Sequence, residues 1–509
     1  MAATEREALR ARWREQGWYS GWSIGEALAG AARTGSGTLV FAHGDGSEAA
    51  VTIEDVHRQA SARADTFAAL GIGEGSAVLL HGAADQASTA AVIALWLLGA
   101  VVVPLPATAA DHEVRHARRE TGARHALLAR NSTVGPSLGS EGVTLLEVAT
   151  PATTGALRPS ARPDPGSVAC VLYTSGATAA PKGVRHSHES LLCGLDASAA
   201  RPSVTLASFP AGHVAAVLSL LRPLLTGGTT VVMERWSARQ AAELIERHGV
   251  TDSAGTPFFL STLLDAATRD DRDISSLSRF LCGAAAVPPA LVDRAERAGI
   301  VSWRTYGSTE HPTVSSGRPD DPLGKRRGTD GRPSPGNEVR VLDELGRDVP
   351  AGAEGEIVTR GPKLFLGYQD VTLDRDAFVE GTWYRTGDLG RFDDDGYLVV
   401  TDRVKDIIIR GGENISAREV EEALTTHAGV AEVAVCALPD ELWGEVVGAF
   451  VVPAGRPPTL EDLSAHGRAR GLAPHKLPAR LQIVDSLPRT AAGKIRKRDL
   501  RALVGGEPH

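Results

Sequence analysis

The stretch from Val171 to Gly183 reads Val-Leu-Tyr-Thr-Ser-Gly-Ala-Thr-Ala-Ala-Pro-Lys-Gly and has the composition of a phosphate grip. Gly176 and its small neighbours let backbone N–H groups face an anion, the hydroxyls of Thr174, Ser175 and Thr178 can donate to its oxygens, and Lys182 supplies charge. It is not a P-loop, which needs a glycine just before the lysine and a hydroxyl just after it, where this chain has Pro181 and Gly183. Further on, Tyr306-Gly307-Ser308-Thr309-Glu310 combines an aromatic face that can stack on a base, a glycine open to close approach, a threonine donor for a phosphate oxygen and a carboxylate able to hold Mg2+ beside a triphosphate. In Tyr384-Arg385-Thr386-Gly387-Asp388-Leu389-Gly390 a carboxylate on a glycine turn is suited to accept two hydrogen bonds from a ribose. The run Asp402-Arg403-Val404-Lys405-Asp406 is a charged link into an apolar strand and a Gly411-Gly412 turn free to adopt φ > 0. Last comes the basic run from Pro488 to Lys497, with Lys494 in it.

Each run alone has an ordinary reading as a turn, a strand end or a solvated tail. Lysine usage argues for more. Only Lys182, Lys325, Lys363, Lys405, Lys476, Lys494 and Lys497 stand among 54 basic residues, so a retained lysine marks a place that wants a compact ammonium.

The elements that must position these groups follow a βα rhythm. Residues 56–70 and 90–98 read as helices, and 77–80, 101–103 and 168–173 as buried parallel strands, which predicts a parallel sheet covered by helices. Residues 131–166, rich in Pro, Gly, Ser and Thr, read as a long surface connection. A second βα series takes in 230–233, 238–248 and 280–281. Between 318 and 380 glycine and proline become dense, and strands at 338–342 and 356–359 predict a small β-rich unit. Beyond Asp402, a capping box at Ser416 and Glu419 opens a helix over 418–426, and a strand at 433–436 and a helix at 460–470 follow. The reading is a large α/β domain over 1–401 and a small, mobile α+β domain over 402–509.

Composition narrows the function further. A net charge of −8 and no basic tract interleaved with aromatics argue against a nucleic-acid partner and leave a small molecule. Cys170, Cys193, Cys282 and Cys436 lack CxxC spacing and sit among apolar residues, so buried thiols in a reducing, cytoplasmic compartment are expected. Residues 1–16 are charged and helical, unlike a signal peptide. The uncharged stretch 90–107 is broken by Gly99 and Pro104, and reads as a buried helix and strand, not a transmembrane segment.

The first loop resembles the signature of the adenylate-forming superfamily, which includes acyl-CoA synthetases, luciferases and the adenylation domains of peptide synthetases. That pattern runs Tyr-Thr-Ser-Gly-Thr-Thr-Gly-x-Pro-Lys-Gly, and this chain departs from it at Ala177 and Ala179. The other four runs resemble the family's later motifs, in the family's order, from Tyr173 to Lys497. The resemblance implies ATP, Mg2+ and coenzyme A as cofactors. By it, Thr309 touches the α-phosphate, Glu310 the magnesium and Tyr306 the adenine, while Gly283, Ala284, Ala285 and Gly307 border the nucleotide. Asp388 and Arg403 reach the ribose, Lys405 sits at a hinge, Gly411-Gly412 lines the pantetheine tunnel, and Lys494 enters the site during adenylation.

Gly212, His213, Val214 and Ala286 fall in the segments that resemble the family's acid pocket. Their Ala- and Gly-rich surroundings leave volume for a bulky apolar carboxylic acid. An amino acid is disfavoured, because Val214 stands where amino-acid activators carry an aspartate. His213 is read equally well as a gate near the acyl carbonyl and as a packed histidine. The acceptor is read as free CoA, with a separate carrier protein as alternative; a luciferase-like oxygenation and a nucleotide-binding regulatory protein impaired by Ala177 and Ala179 are further alternatives.

Overall fold

The computed structural model describes residues 2–34, 37–82, 84–129, 132–148, 160–174, 181–195, 203–490 and 492–505. Its contacts divide the chain into two compact units: Met1–Arg327 with Pro333–Glu338 and Thr359–Tyr384, and Gly328–Arg332 with Val339–Val358 and Arg385–His509. The smaller unit thus takes in β-rich segments that precede Asp402 as well as the tail that follows it.

The first unit holds two α/β sheets. In one, the parallel strands Val168–Thr174, Val101–Pro106, Ala77–Gly82, His125–Leu128 and Thr144–Glu147 lie in that order. The uncharged helix Gln86–Leu97, capped by Asp85 accepting from the Ser88 N–H at 2.7 Å, is buried against them. A strand and helix without charge suit a sheet covered on both faces. No helix among the described residues is long and apolar enough to cross a membrane. The connection expected over 131–166 is not all surface loop: it carries the helix Gly135–Ser140 and the strand Thr144–Glu147, which pairs in parallel with His125–Leu128. Only Leu145 and Leu146 hint at that strand, and its pairing partner, not its own pattern, makes it.

The other sheet has six parallel strands at its centre, in the order Val301–Tyr306, Arg279–Gly283, Asp252–Gly255, Val204–Ala207, Gly228–Met233 and Gly37–Ala42. Helices such as Ala238–His248 and Pro257–Arg269 bury their apolar faces on it. The four cysteines are buried free thiols.

In the second unit the long antiparallel pair Val430–Asp440 and Gly444–Pro453 is flanked by the hairpin Ile408–Arg410/Glu413–Ile415 and by Arg480–Ile483. Helices Ala417–Leu424 and Leu460–Ala469 share its core. The capping box expected at Ser416 is half formed. Ser416 Oγ accepts from the Glu419 N–H at 3.1 Å, but the Glu419 carboxylate is taken by the Lys476 ammonium at 2.6 Å.

Candidate active site

In the larger unit the strand Val168–Thr174 returns as Lys182–Ser187, antiparallel, with Thr174 opposite Lys182. Ser175, Gly176 and Thr178, with Ala177 and Ala179, lie outside the described residues. Among the described residues the loop is followed by a strand and not directly by a helix. The Lys182 ammonium lies 5.0 Å above the ring of Tyr368. Gly183 is dictated by packing, since a Cβ there would come within 2.9 Å of Gln369 and 3.1 Å of the Tyr173 ring. His116 holds the loop's end through the Pro181 carbonyl at 2.8 Å.

The strand Val301–Tyr306 delivers the second motif. At Gly307 a Cβ would lie 2.5 Å from the Thr313 nitrogen, so the chain can turn here only without a side chain. His186 Nε2 donates to the Thr309 carbonyl at 2.7 Å, and its Nδ1 is 3.1 Å from Ser190 Oγ. Burial pushes the His186 pKa down to about 4 and that of His311 to about 3, so both rings are neutral. His311 is bonded to Thr359 Oγ1 at 2.9 Å and Asn337 Oδ1 at 3.2 Å, and Asn337 donates on to the carbonyls of Thr313 and Val314. The buried Glu310 accepts the Tyr368 hydroxyl on Oε1 at 2.9 Å. Tyr368 also meets Tyr384, and burial, followed by the Glu310 charge, raises the pKa of both phenols. Glu310 Oε2 makes no hydrogen bond to a described residue. One oxygen fixed and one open fits Mg2+, which keeps waters and phosphate oxygens for most of its shell and takes few carboxylates.

The residues read as bordering the nucleotide at 283–285 and the acid at 212–214 and 286 differ in exposure. Gly283 is buried against Thr305, where a Cβ would come within 2.6 Å, and Ala284 is held at φ +64°, a left-handed backbone that alanine rarely adopts. Ala285 and Ala286 are exposed. Gly212, at φ +89°, passes so close to Pro106 and Pro104 that a Cβ would lie within 3.0 Å of both. His213 caps the helix Val214–Thr226, its Nδ1 accepting from the Ala215 N–H at 3.1 Å, and stacks on Phe209 with centroids 5.4 Å apart. Val214 turns into the hydrophobic core.

The smaller unit brings Asp388 and Arg403 together. They face each other across antiparallel strands, and Arg403 Nε meets Asp388 Oδ1 at 2.9 Å. Gly387, at φ +70°, aims the buried carboxylate, and the Asp388 N–H donates to Thr386 Oγ1. Gly411 and Gly412, at φ +59° and +90°, close a two-residue hairpin turn of the kind that needs two left-handed residues. The Gly411 N–H donates to the Trp443 carbonyl at 2.9 Å, and that indole leaves no room for a Cβ. Lys405 lies in the short 3-10 turn Val404–Asp406. Lys494 sits at the end of a tight turn: its carbonyl accepts the Thr490 N–H at 2.8 Å and its N–H reaches Thr490 Oγ1 at 3.2 Å.

Sequence reasoning did not single out His186, His311, Asn337 or Tyr368. Two of these left a trace, since His311 directly follows Glu310 and His186 follows Gly183 by three residues. Asn337 and Tyr368 are brought in by tertiary pairing alone.

A profile of the AMP-binding enzyme family matches residues 29–369, and one of the AMP-binding enzyme C-terminal domain matches 419–494. A fatty acid–[acyl-carrier-protein] ligase of Streptomyces coeruleorubidus is 32% identical over 90% of this chain and 92% of its own length. The medium-chain fatty-acid–CoA ligase of Escherichia coli (strain K12) is 36% identical over 66% of this chain, but that match spans 61% of the relative. Among solved structures, o-succinylbenzoate coenzyme A synthetase from Bacillus subtilis in complex with ATP and magnesium ion superposes with a TM-score of 0.82 at 26% identity, over 94% of this chain and 99% of that one.

Proposed function

Because the chain belongs to the AMP-binding enzyme family and is a ligase of that family, we propose that it activates a bulky apolar carboxylic acid with ATP and passes the acyl group to coenzyme A. The observation that carries this reading is Glu310, buried, with one oxygen fixed by Tyr368 and the other open. Bound there, Mg2+ would neutralise charge on the triphosphate and on the departing pyrophosphate.

The chain's own residues do the rest. Tyr306 offers a face to the adenine, Gly283 and Gly307 let backbone approach the nucleotide, and Asp388 with Arg403 holds the ribose. The acid lies against Gly212, His213 and Ala286. Its carboxylate oxygen attacks the α-phosphorus, the bond to the bridging oxygen breaks, and pyrophosphate leaves. Two anions must approach for this, and Lys494, bridging both, gains most as charge gathers in the transition state. A thiol then attacks the acyl carbon of the mixed anhydride beside Gly411-Gly412 and AMP leaves. Lys494 serves the first step and that turn the second, so the tail after Thr401 is proposed to rotate between steps, with Lys405 absorbing the φ/ψ change.

A second reading, in which the thiol belongs to a carrier protein, is favoured by the relative matched over nearly its full length. Pyrophosphate release against a panel of acids, followed by thioester formation with CoA or with a phosphopantetheinylated carrier protein, decides between them. Release with no acid in the panel would return the chain to the regulatory alternative.

A further inference from the structure

Resting on that reading, we infer that His186, on the strand leaving the phosphate loop, and Tyr368, on the short strand paired with it, are positioning residues that fix the Thr309-Glu310 pair. The strand Lys182–Ser187 is paired on both sides, with Val168–Thr174 and with Gly367–Tyr368, so it is a stiff support. Along it Lys182, Val184 and His186 point to one face, since side chains alternate with period two. Tyr368 is the direct partner of Val184 and shares that face. One face of one strand pair therefore carries the phosphate-loop lysine, a donor to the Thr309 carbonyl at 2.7 Å, and a donor to the Glu310 carboxylate at 2.9 Å. The Lys182 ammonium lies over the ring of the same tyrosine.

The ring nitrogen of His186 that faces a carbonyl must carry hydrogen, and the Tyr368 hydroxyl that faces a carboxylate must donate. The backbone of the motif and its carboxylate are thus each held by a separate donor, both from outside the motif. Hydrogen-bonded partners of this kind are worth about 10- to 100-fold in metal affinity when the carboxylate is a ligand. Glu310 is aimed from Gly367–Tyr368, the strand paired with the one that ends the phosphate loop, so the metal's ligand and the anion's grip are placed by one strand pair.

The test uses the full-length protein, ATP and Mn2+, with binding read by calorimetry for the nucleotide and by electron paramagnetic resonance for the metal. His186→Leu and Tyr368→Phe are expected to bind metal-free ATP within about two-fold of wild type, and to bind Mn2+ in the presence of ATP about 10-fold more weakly or worse. His186→Gln, whose amide can occupy the Nε2 position and donate, should recover most of the metal affinity. Wild-type Mn2+ affinity in Tyr368→Phe and in His186→Leu overturns the inference. So does a glutamine variant as impaired as the leucine one with an equally lowered thermal midpoint, which would make His186 a packing residue. Tyr368→Phe removes one oxygen atom and keeps the test alive if His186→Leu does not fold. Absence of Mn2+·ATP binding in the wild type is a separate result, and it would sink the ligase reading itself.

Discussion

The two units hold their functional groups by opposite means. In the larger one, the motif around Thr309 and Glu310 rests on neutral groups, the buried His186, His311, Tyr368 and Tyr384 with the half-buried Asn337. In the smaller one the scaffold is ionic. Arg403 meets Asp388 while its own side chain stays 63% exposed, and Arg501 lies 3.8 Å from Asp406. A dry polar network is costly to leave half satisfied, so it fixes atoms in one arrangement. Exposed ion pairs cost little to make or remake. The difference is between a motif fixed in one arrangement and a scaffold whose exposed ion pairs can be remade.

Acid should break the comparison most widely. Burial, the leading cause in each case, depresses His57, His186 and His188 to about 4 and His311 to about 3, against about 6.5 for a free histidine. Between those values the unfolded chain takes up protons that the folded unit refuses, so stability falls as pH drops from about 6.5 towards 4 and is flat above. At pH 5 the four together should cost the larger unit several kcal/mol, each on the order of 1–2. Hydrogen exchange followed by mass spectrometry at pH 7 and pH 5, corrected for intrinsic rates, should show protection lost first in strands such as Val301–Tyr306. Earlier loss in Val430–Asp440 would reverse the assignment.

Lys494→Ala probes the smaller unit's proposed chemistry. Pyrophosphate exchange should fall by about 10²–10³-fold, while thioester formation from supplied acyl-adenylate and the thermal midpoint hold. Exchange within a few-fold of wild type would remove Lys494 from the first step. Next in size, Lys497→Met strips the partner from the largely buried Glu421, whose pKa burial already raises against the pull of Lys497. It should destabilise the smaller unit by roughly 2–3 kcal/mol, less than a fully buried pair because about a fifth of each side chain is exposed. The check is denaturant unfolding followed by exchange protection within Ala417–Leu424. The smallest effect belongs to Ala284→Gly, which relieves a left-handed alanine and should stabilise the larger unit by about 1 kcal/mol, seen as a small rise in its unfolding midpoint. A loss of stability would mean that the Ala284 methyl group makes contacts worth more than the strain.

Much of this was legible in the sequence. The family and the α/β class follow from motifs that are ambiguous singly but stand in one order, and the helix and strand at residues 90–107 from Gly99 and Pro104 breaking an uncharged run. Asp388 and Arg403 lie in separate motifs, and the structure brings them together. What could not be read was anything set by pairing across distance: the edge strand at Thr144–Glu147, the turn of Val214 into the core, and the donors behind Thr309 and Glu310. Glu419 shows the same limit, since its local pattern promised a cap and a lysine 57 residues away claimed the carboxylate.

The hairpin stem that carries the phosphate loop also bears on how this region can vary. Thr174 and Lys182 are opposed across a fixed ladder, and the period-two alternation ties Lys182 and His186 to one face. Exchanging residues between the stems, as at Ala177 and Ala179, leaves that ladder untouched. A single inserted or deleted residue that shifted the register would turn the lysine and the histidine to the wrong side together. The residues of the loop can therefore change without cost to this placement, whereas the register of the strands that flank it cannot.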